Sequence, residues 1–366
     1  RYCIILFDEV YVKPSLRFSG CHTIGYSEDA PRQIARTVLA LMVKSFMGGP
    51  AYVARLIPIY SLQPAFLYDQ VVHLVQLIHQ LGGTVVSLIC DNHFTNRNCF
   101  QLLQGDSAVP WLAKNPADPD QPLFLLYDPV HLMKNIRNNW LTQSFCEIDF
   151  QPVIGEPVKR AKWNEITRLE EASRNHIVRT TRLNPVACRP SPLERQKVSL
   201  VLDVFHEKTV AALQLNGYSE TADFVERVLN FWTVVNVKSP ESHIRLNDIR
   251  RAPISSTNSS AIQELLSFAA VVDRMPGGRG ASRPRSLTTE TRKAIHQTAN
   301  GLADLSRHLL MKVGFSYVLL GELQTDRLEG SFLFIGKATA GVIIYPLIKF
   351  WPVRGYAECN FTVNWS

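Results

Sequence analysis

The chain has 366 residues, 46% hydrophobic and 19% charged, enough to bury a sizeable core in two folded units or in one unit carrying a large insertion. Lys and Arg number 39 against 32 acidic residues, a formal charge of +7 that suits an acidic partner such as nucleic acid. Seven cysteines with no C-x-x-C pair indicate neither a zinc finger nor a disulfide framework and fit reduced thiols.

The first elements alternate between sheet and helix. Tyr2–Phe7 is an apolar run ending in Asp8-Glu9, the pattern of a central strand with acids at its carboxyl edge. Because it begins at Arg1, without Met and almost directly on that strand, the chain is expected to be part of a longer polypeptide. Leu16–Tyr26 supplies two short strands of a meander. Pro31–Met47, with Ile34, Val38, Leu39, Leu41 and Met42, reads as a short helix or a long loop, and Ala51–Tyr60 as a strand. After Pro64 a helix presents Phe66, Val71, Val72, Leu74, Val75, Leu77 and Ile78 on a broad apolar face, and Gly82-Gly83 stops it. Thr84–Cys90 is a second buried strand and ends in Asp91-Asn92-His93. A short helix follows, then a loop rich in Asp, Pro and Asn between Gly105 and Gln121. Leu123–Tyr127 is a further strand ending in Asp128-Pro129, and a helix runs from Val130 to Trp140. This is an α/β layer with Asp8, Asp91 and Asp128 at three strand ends.

From about Gly155 to Pro253 the period changes to helix over 158–178, 194–215 and 219–235, without strand alternation. Arg274–Arg285 is a basic, glycine-rich loop, either a solvated linker or an anion or DNA contact. Thr288–Val313 resumes as a helix with Ile295, Leu302, Leu305, Leu309 and Leu310 inward. Phe332–Trp351 is apolar, but Lys337 and Lys349 interrupt it; it reads as core strand and helix, not as a membrane span. No signal peptide is visible.

Asp8, Asp91 and Glu329 form the most informative constellation of acids, although composition alone does not choose Glu329 from the others. Cleaving a phosphodiester with two divalent ions needs carboxylates that bridge and flank them, and acids at neighbouring strand ends joined by one from a later helix can supply these. The alternative is that they cap turns and face solvent. Asp128 and His131 either organise a strand-to-helix junction or bind metal or phosphate. Lys134 and Arg137, three and six residues after His131, either face DNA phosphate or serve the fold.

Four stretches carry a resemblance: Phe7-Asp8-Glu9; Cys90-Asp91-Asn92-His93 with Asn96-Arg97; Asp128–Asn139; and Thr325–Phe332. In content and order they resemble the P-element-type DNA transposases, including animal relatives that carry an amino-terminal THAP zinc finger. The resemblance implies an RNase H-like (retroviral-integrase-like) α/β fold interrupted by a mostly α-helical, GTP-binding insertion domain. It would divide the chain into residues 1–150, an insertion over 151–310, and a returning part over 311–366. It further implies that Asp8, Asp91 and Glu329 are catalytic and hold Mg²⁺ or Mn²⁺. Asp326, Asn236, Lys197 and Val198 would contact GTP, although there is no Gly-x-x-x-x-Gly-Lys-Ser/Thr loop and Thr233 stands where the family pattern has Asp. Asn236 also suits a helix C-cap. A second departure is Phe332–Gly336, which lacks the family's basic character after the catalytic Glu.

The function expected is a cut-and-paste transposase core: metal-dependent DNA cleavage and strand transfer in a nuclear homo-oligomer. Its partners would be transposon-end and target DNA, with a THAP-type module upstream and no membrane. The rival readings are a domesticated or decayed non-catalytic DNA- or protein-binding scaffold, and a simple nucleotide-binding protein.

Overall fold

The computed structural model describes residues 1–19, 22–46, 49, 51–174, 180–277, 285–328 and 330. Strands β1 (Tyr2–Tyr11), β4 (Thr37–Ser45), β5 (Ala51–Ile59), β6 (Thr84–Cys90), β7 (Leu112–Asn115) and β8 (Asp118–Tyr127) form a six-stranded sheet in the order β5-β4-β1-β6-β8-β7. β2 (Arg17–Ser19) and β3 (His22–Ile24) pair with each other as a separate ribbon. β9 (Glu147–Phe150) and β10 (Lys159–Lys162) form another. The helices are α1 (Pro64–Gln80), α2 (Phe94–Gln104), α3 (Pro129–Thr142), α4 (Trp163–Arg174), α5 (Pro185–Cys188), α6 (Val198–Val204), α7 (Glu207–Leu215), α8 (Ser219–Val235), α9 (Ser242–Arg245), α10 (Ser260–Asp273) and α11 (Thr289–His308).

Two compact units emerge. One holds Arg1–Gly105, Ala113–Leu123 and the described residues from Thr325; the other holds Asp106–Leu112 and Phe124–Gln324. In the first, β1 is central because Cys3–Phe7 are buried without interruption, and an unbroken apolar run has no solvent face to offer. β4 lies antiparallel to one side of it and β6 parallel to the other. Leu67, Val71, Leu74, Val75 and Ile78 form the buried stripe of α1, and Gly82 takes the left-handed φ of 77° that lets the chain turn into β6.

The structure corrects three expectations here. Residues 37–45 form a strand, not a helix or loop. The spacing of Ile34, Val38, Leu39, Leu41 and Met42 fits both periods, and only pairing with β1 and β5 decides between them. The two short strands near Leu16 and Tyr26 pair apart from the meander. The loop after Gly105 contains β7 and the start of β8, whose polar residues hid the pattern.

In the second unit, α8 is buried on nearly every side, with Phe224, Val225, Val228, Phe231, Val234 and Val235 inward. Trp140 from α3 is fully buried and meets Trp163 edge-on at 5.0 Å, Phe224 edge-on at 5.0 Å and Phe205 at 6.4 Å. α11 reaches the end of β8 through polar bonds. Gln297 Nε2 donates to the Leu125 carbonyl at 3.0 Å, and Thr298 Oγ1 accepts the Tyr127 N–H at 3.0 Å. Gly301 allows the approach: a Cβ there would fall 2.5 Å from Leu126 Cδ2. The helix expected over 158–178 begins only at Trp163, because 159–162 pair with β9 as a strand. The helix expected over 194–215 is broken into a 3₁₀ turn, α6 and α7. Phe332–Trp351 lies outside the described residues, and among the described helices none is long and apolar enough to cross a membrane.

Trp140→Ala is expected to cost about 3–5 kcal/mol, read as a shift in the urea unfolding midpoint. Burial pushes the thiols of Cys3, Cys99 and Cys188 up to about 12. They should therefore resist alkylation at pH 8 in the native protein while half-buried Cys146 labels before them. Mapping labelled peptides with time checks this; equal rates for Cys146 and Cys99 would contradict it.

Candidate functional site

The pairing of β1 with β6 creates the acid pair. The last ladder partners are Leu6 and Ile89. Carrying that register two residues further along each strand brings Asp8 beside Asp91, on neighbouring strands that lie about 4.8 Å apart. Phe7 and Cys90, the residues just before them, are buried, whereas both acids are half-exposed. Asp91 follows the last residue of β6 as expected, whereas Asp8 lies inside β1, which pairing with β4 carries on to Tyr11; both carboxylates stand where burial stops.

Local bonds orient each one. Asp8 Oδ1 accepts the Glu9 N–H at 2.8 Å, and Glu9 in turn accepts the Thr37 hydroxyl. Asp91 Oδ1 accepts the His93 N–H at 3.0 Å and Asn96 Nδ2 at 2.6 Å. Both bonds fall on one oxygen, and Oδ2 accepts none among the described residues. Arg97 braces the same turn, donating to the Asn92 carbonyl at 2.8 Å. The first turn of α2 is therefore folded back onto the loop that carries Asp91. Spacing alone gave Asn96 and Arg97 no such role, although an Asp followed five residues later by Asn at a helix start is a signal that can be searched for. Glu329 lies outside the described residues, and among those described no group of three or more His, Cys, Asp or Glu is placed to hold a metal ion.

Asp128 caps α3. It is fully buried, accepts the Val130 N–H at 3.0 Å and has His131 Nε2 at 3.9 Å. Lys134, also buried, sets its Nζ 3.3 Å from His131 Nε2. Arg137 is fully buried; its Nε donates to Asn138 Oδ1 at 2.9 Å and its Nη2 to the Arg195 carbonyl at 2.9 Å. Burial, then the neighbouring charge of Arg195, lowers its pKa to about 10. Arg195 had no sequence signal, because 58 residues separate it from its partner.

The residues proposed for nucleotide are spread over both units. Asn236 ends α8, its N–H bonded to the Trp232 carbonyl at 3.0 Å, and its Oδ1 accepts Gln324 Nε2 at 3.2 Å. Thr233, one turn earlier, is fully buried and its hydroxyl makes no hydrogen bond among the described residues. Lys197 is exposed at the start of α6, Val198 is the half-buried first residue of that helix, and Asp326 is exposed. In the basic loop, Arg274 donates to the Pro152 carbonyl at 2.6 Å and Arg285 pairs with Glu147 at 2.9 Å. Residues 278–284 lie outside the described ones.

A central mixed sheet flanked by helices, with a helical stretch inserted before the last segment, defines an RNase H-like α/β protein. The comparisons agree. Residues 1–104 match the family model "TNP-like, RNase H N-terminal domain". The chain is similar to the "Transposable element P transposase" of Drosophila melanogaster, with 20% identity over 251 residues, covering 66% of this chain and 31% of that one. It thus spans about a third of the curated relative that it matches. Its fold is similar to the "Drosophila P element transposase strand transfer complex", with a TM-score of 0.74 and 17% identity, covering 91% of this chain and 71% of that chain. The chain is thus similar in sequence to a P-element transposase, and it shares the RNase H-like fold.

Asn96→Ala removes a charge-assisted bond to Asp91 and is expected to cost about 1.5–3 kcal/mol in urea unfolding. An unchanged midpoint would show that the Asx turn holds Asp91 without it.

Proposed function

We propose that this chain is the core of a cut-and-paste DNA transposase that cleaves DNA phosphodiesters and joins the freed ends to target DNA. The observation that carries the reading is the parallel register of β1 against β6, which, carried two residues past its last pair, sets Asp8 of β1 beside Asp91, the residue that follows β6. Two carboxylates that leave the core together suit hard divalent cations, which take oxygen ligands. In this reading Asp8, Asp91 and Glu329 hold Mg²⁺ or Mn²⁺. When bound, the ions would activate water or a 3′-hydroxyl and stabilise the leaving oxygen. The chain's own contribution at Asp91 is orientation: Asn96 and the His93 N–H occupy Oδ1 and leave Oδ2 open to a ligand.

The surrounding residues divide by burial. Asp128, His131, Lys134 and Arg137 are assigned to the fold, since three of the four are buried and their bonds stay within the protein. The insertion, placed over residues 151–310, would bind GTP through Asn236, Lys197 and Val198 together with Asp326. Thr233 supplies no carboxylate for the guanine N–H groups, which favours weak nucleotide specificity. That same substitution is what the rival reading, a non-catalytic DNA- or protein-binding scaffold, has in its favour. Transposon-end and target DNA are the proposed partners, held by a homo-oligomer acting in the nucleus with an upstream THAP-type module.

The test is cleavage of element-end DNA by the full-length protein in Mg²⁺ or Mn²⁺, with and without GTP, beside Asp8→Asn, Asp91→Ala and Glu329→Ala. Activity should fall by at least about 10³-fold in each variant, a barrier rise of about 4 kcal/mol. If folded parent protein leaves matched ends intact under both metals, the scaffold reading replaces this one.

A further inference from the structure

In the helical unit, Arg189-Pro190-Ser191-Pro192-Leu193 lies outside any helix or strand, and Ser191 is exposed. Leu193 beside it is 84% exposed. Each proline fixes its own φ, and Pro192 biases Ser191 towards extended backbone, the conformation in which a protein kinase takes its substrate. Ser191 also opens a short turn: its N–H donates to Glu194 Oε2 at 2.9 Å, and its carbonyl accepts the Arg195 N–H at 3.0 Å.

That turn carries a charge imbalance. Arg195 makes no ion pair among the described residues, and its Nε is buried without a hydrogen-bond partner. Arg137, fully buried next to it, has Nη1 equally without a partner and no carboxylate beside it. A buried cation without a counter-charge is costly, and two together are more so. Lys197, exposed on the same turn, acts electrostatically on Glu194. Three cations therefore gather around a turn whose own acid, Glu194, is half-exposed.

We propose that Ser191 is the phosphate acceptor of a proline-directed serine/threonine kinase, and that Arg195 and Lys197 hold the phosphate. Ser191 Oγ attacks the γ-phosphorus of ATP. The Oγ–P bond forms, the bond to the departing ADP oxygen breaks, and the hydroxyl proton passes to the kinase's base. The product carries close to two negative charges and three acceptor oxygens one turn before Arg195, and Glu194 is repelled from its bond to the Ser191 N–H. Ser239-Pro240 is the chain's other Ser-Pro pair. It is half-buried where Ser191 is exposed; both hydroxyls bond to a nearby glutamate, Ser239 to Glu241 and Ser191 to Glu194, so exposure is what separates the two sites. The proposal does not depend on the transposase reading.

The test treats the full chain with a purified proline-directed kinase and Mg-ATP, maps the phosphate by peptide mass, and titrates the phosphorylated protein by ³¹P NMR. One phosphate on Ser191, absent in Ser191→Ala and retained in Ser191→Thr, is expected. The phosphate's second pKa should lie below the value of about 6 usual for phosphoserine. It should move back towards that value in Arg195→Gln and in Lys197→Gln, both of which leave Ser191 in place. No incorporation, or incorporation at Ser239 alone, overturns the site. Phosphate on Ser191 with an ordinary second pKa overturns its capture by Arg195 and Lys197.

Discussion

The parallel register of β1 against β6 is the constraint on which the acid pair depends. β1 is buried along Cys3–Phe7 and has no polar face to relax towards, so its position is fixed by packing on both sides. A slip of one residue would put Asp8 beside Cys90 and turn Asp91 to the opposite face, because side chains alternate along a strand. The irregularity between Cys3 and Ile4 lies upstream, and from Ile4 to Leu6 the ladder is regular up to the point where the acids emerge. Asp8 and Asp91 are 83 residues apart in the chain; β4, β5 and α1 occupy the interval and leave β6 next to β1.

A second constraint acts where polar groups enter the interior of the helical unit. The end of β8 accepts a hydrogen bond from Gln297 and donates one to Thr298, and Gly301 lets α11 approach without a Cβ in the way. Asn139 accepts the Thr288 N–H at 2.8 Å, which fixes the start of the same helix against α3. The Asp128–Asn139 run is therefore read through burial more than through charge. Its basic side chains are bonded to His131, Asn138 and the Arg195 carbonyl, and its Trp140 neighbour anchors an aromatic cluster. Basic residues in a conspicuous motif serve packing as readily as they serve a ligand.

The two candidate chemistries are supported by different kinds of observation. The acid pair has a register, half-exposed carboxylates and a braced turn behind Asp91. The nucleotide residues have only helix ends and exposed side chains, and Thr233 is a buried hydroxyl where a carboxylate was sought. The geometry is strongest where strands pair, since a ladder specifies position residue by residue and a helix terminus does not.

The sequence by itself determined the elements whose pattern is unambiguous: β1, α1, β6, α3 and α8, each an apolar run or stripe. It also marked Asp91 as a strand-end acid and Asp8 as the point where burial stops, because the change from buried apolar residue to carboxylate is local, but it ended β1 too early: the strand continues to Tyr11. It could not decide residues 37–45, where one set of apolar positions serves helix and strand alike until β1 and β5 lie alongside. Nor did it find β9 with β10, each only four residues long, or the bond from Arg137 to Arg195. Those features rest on partners far away in the chain. Hydrogen-bond pairing and burial are properties of neighbours in space, and only the tertiary structure assigns them.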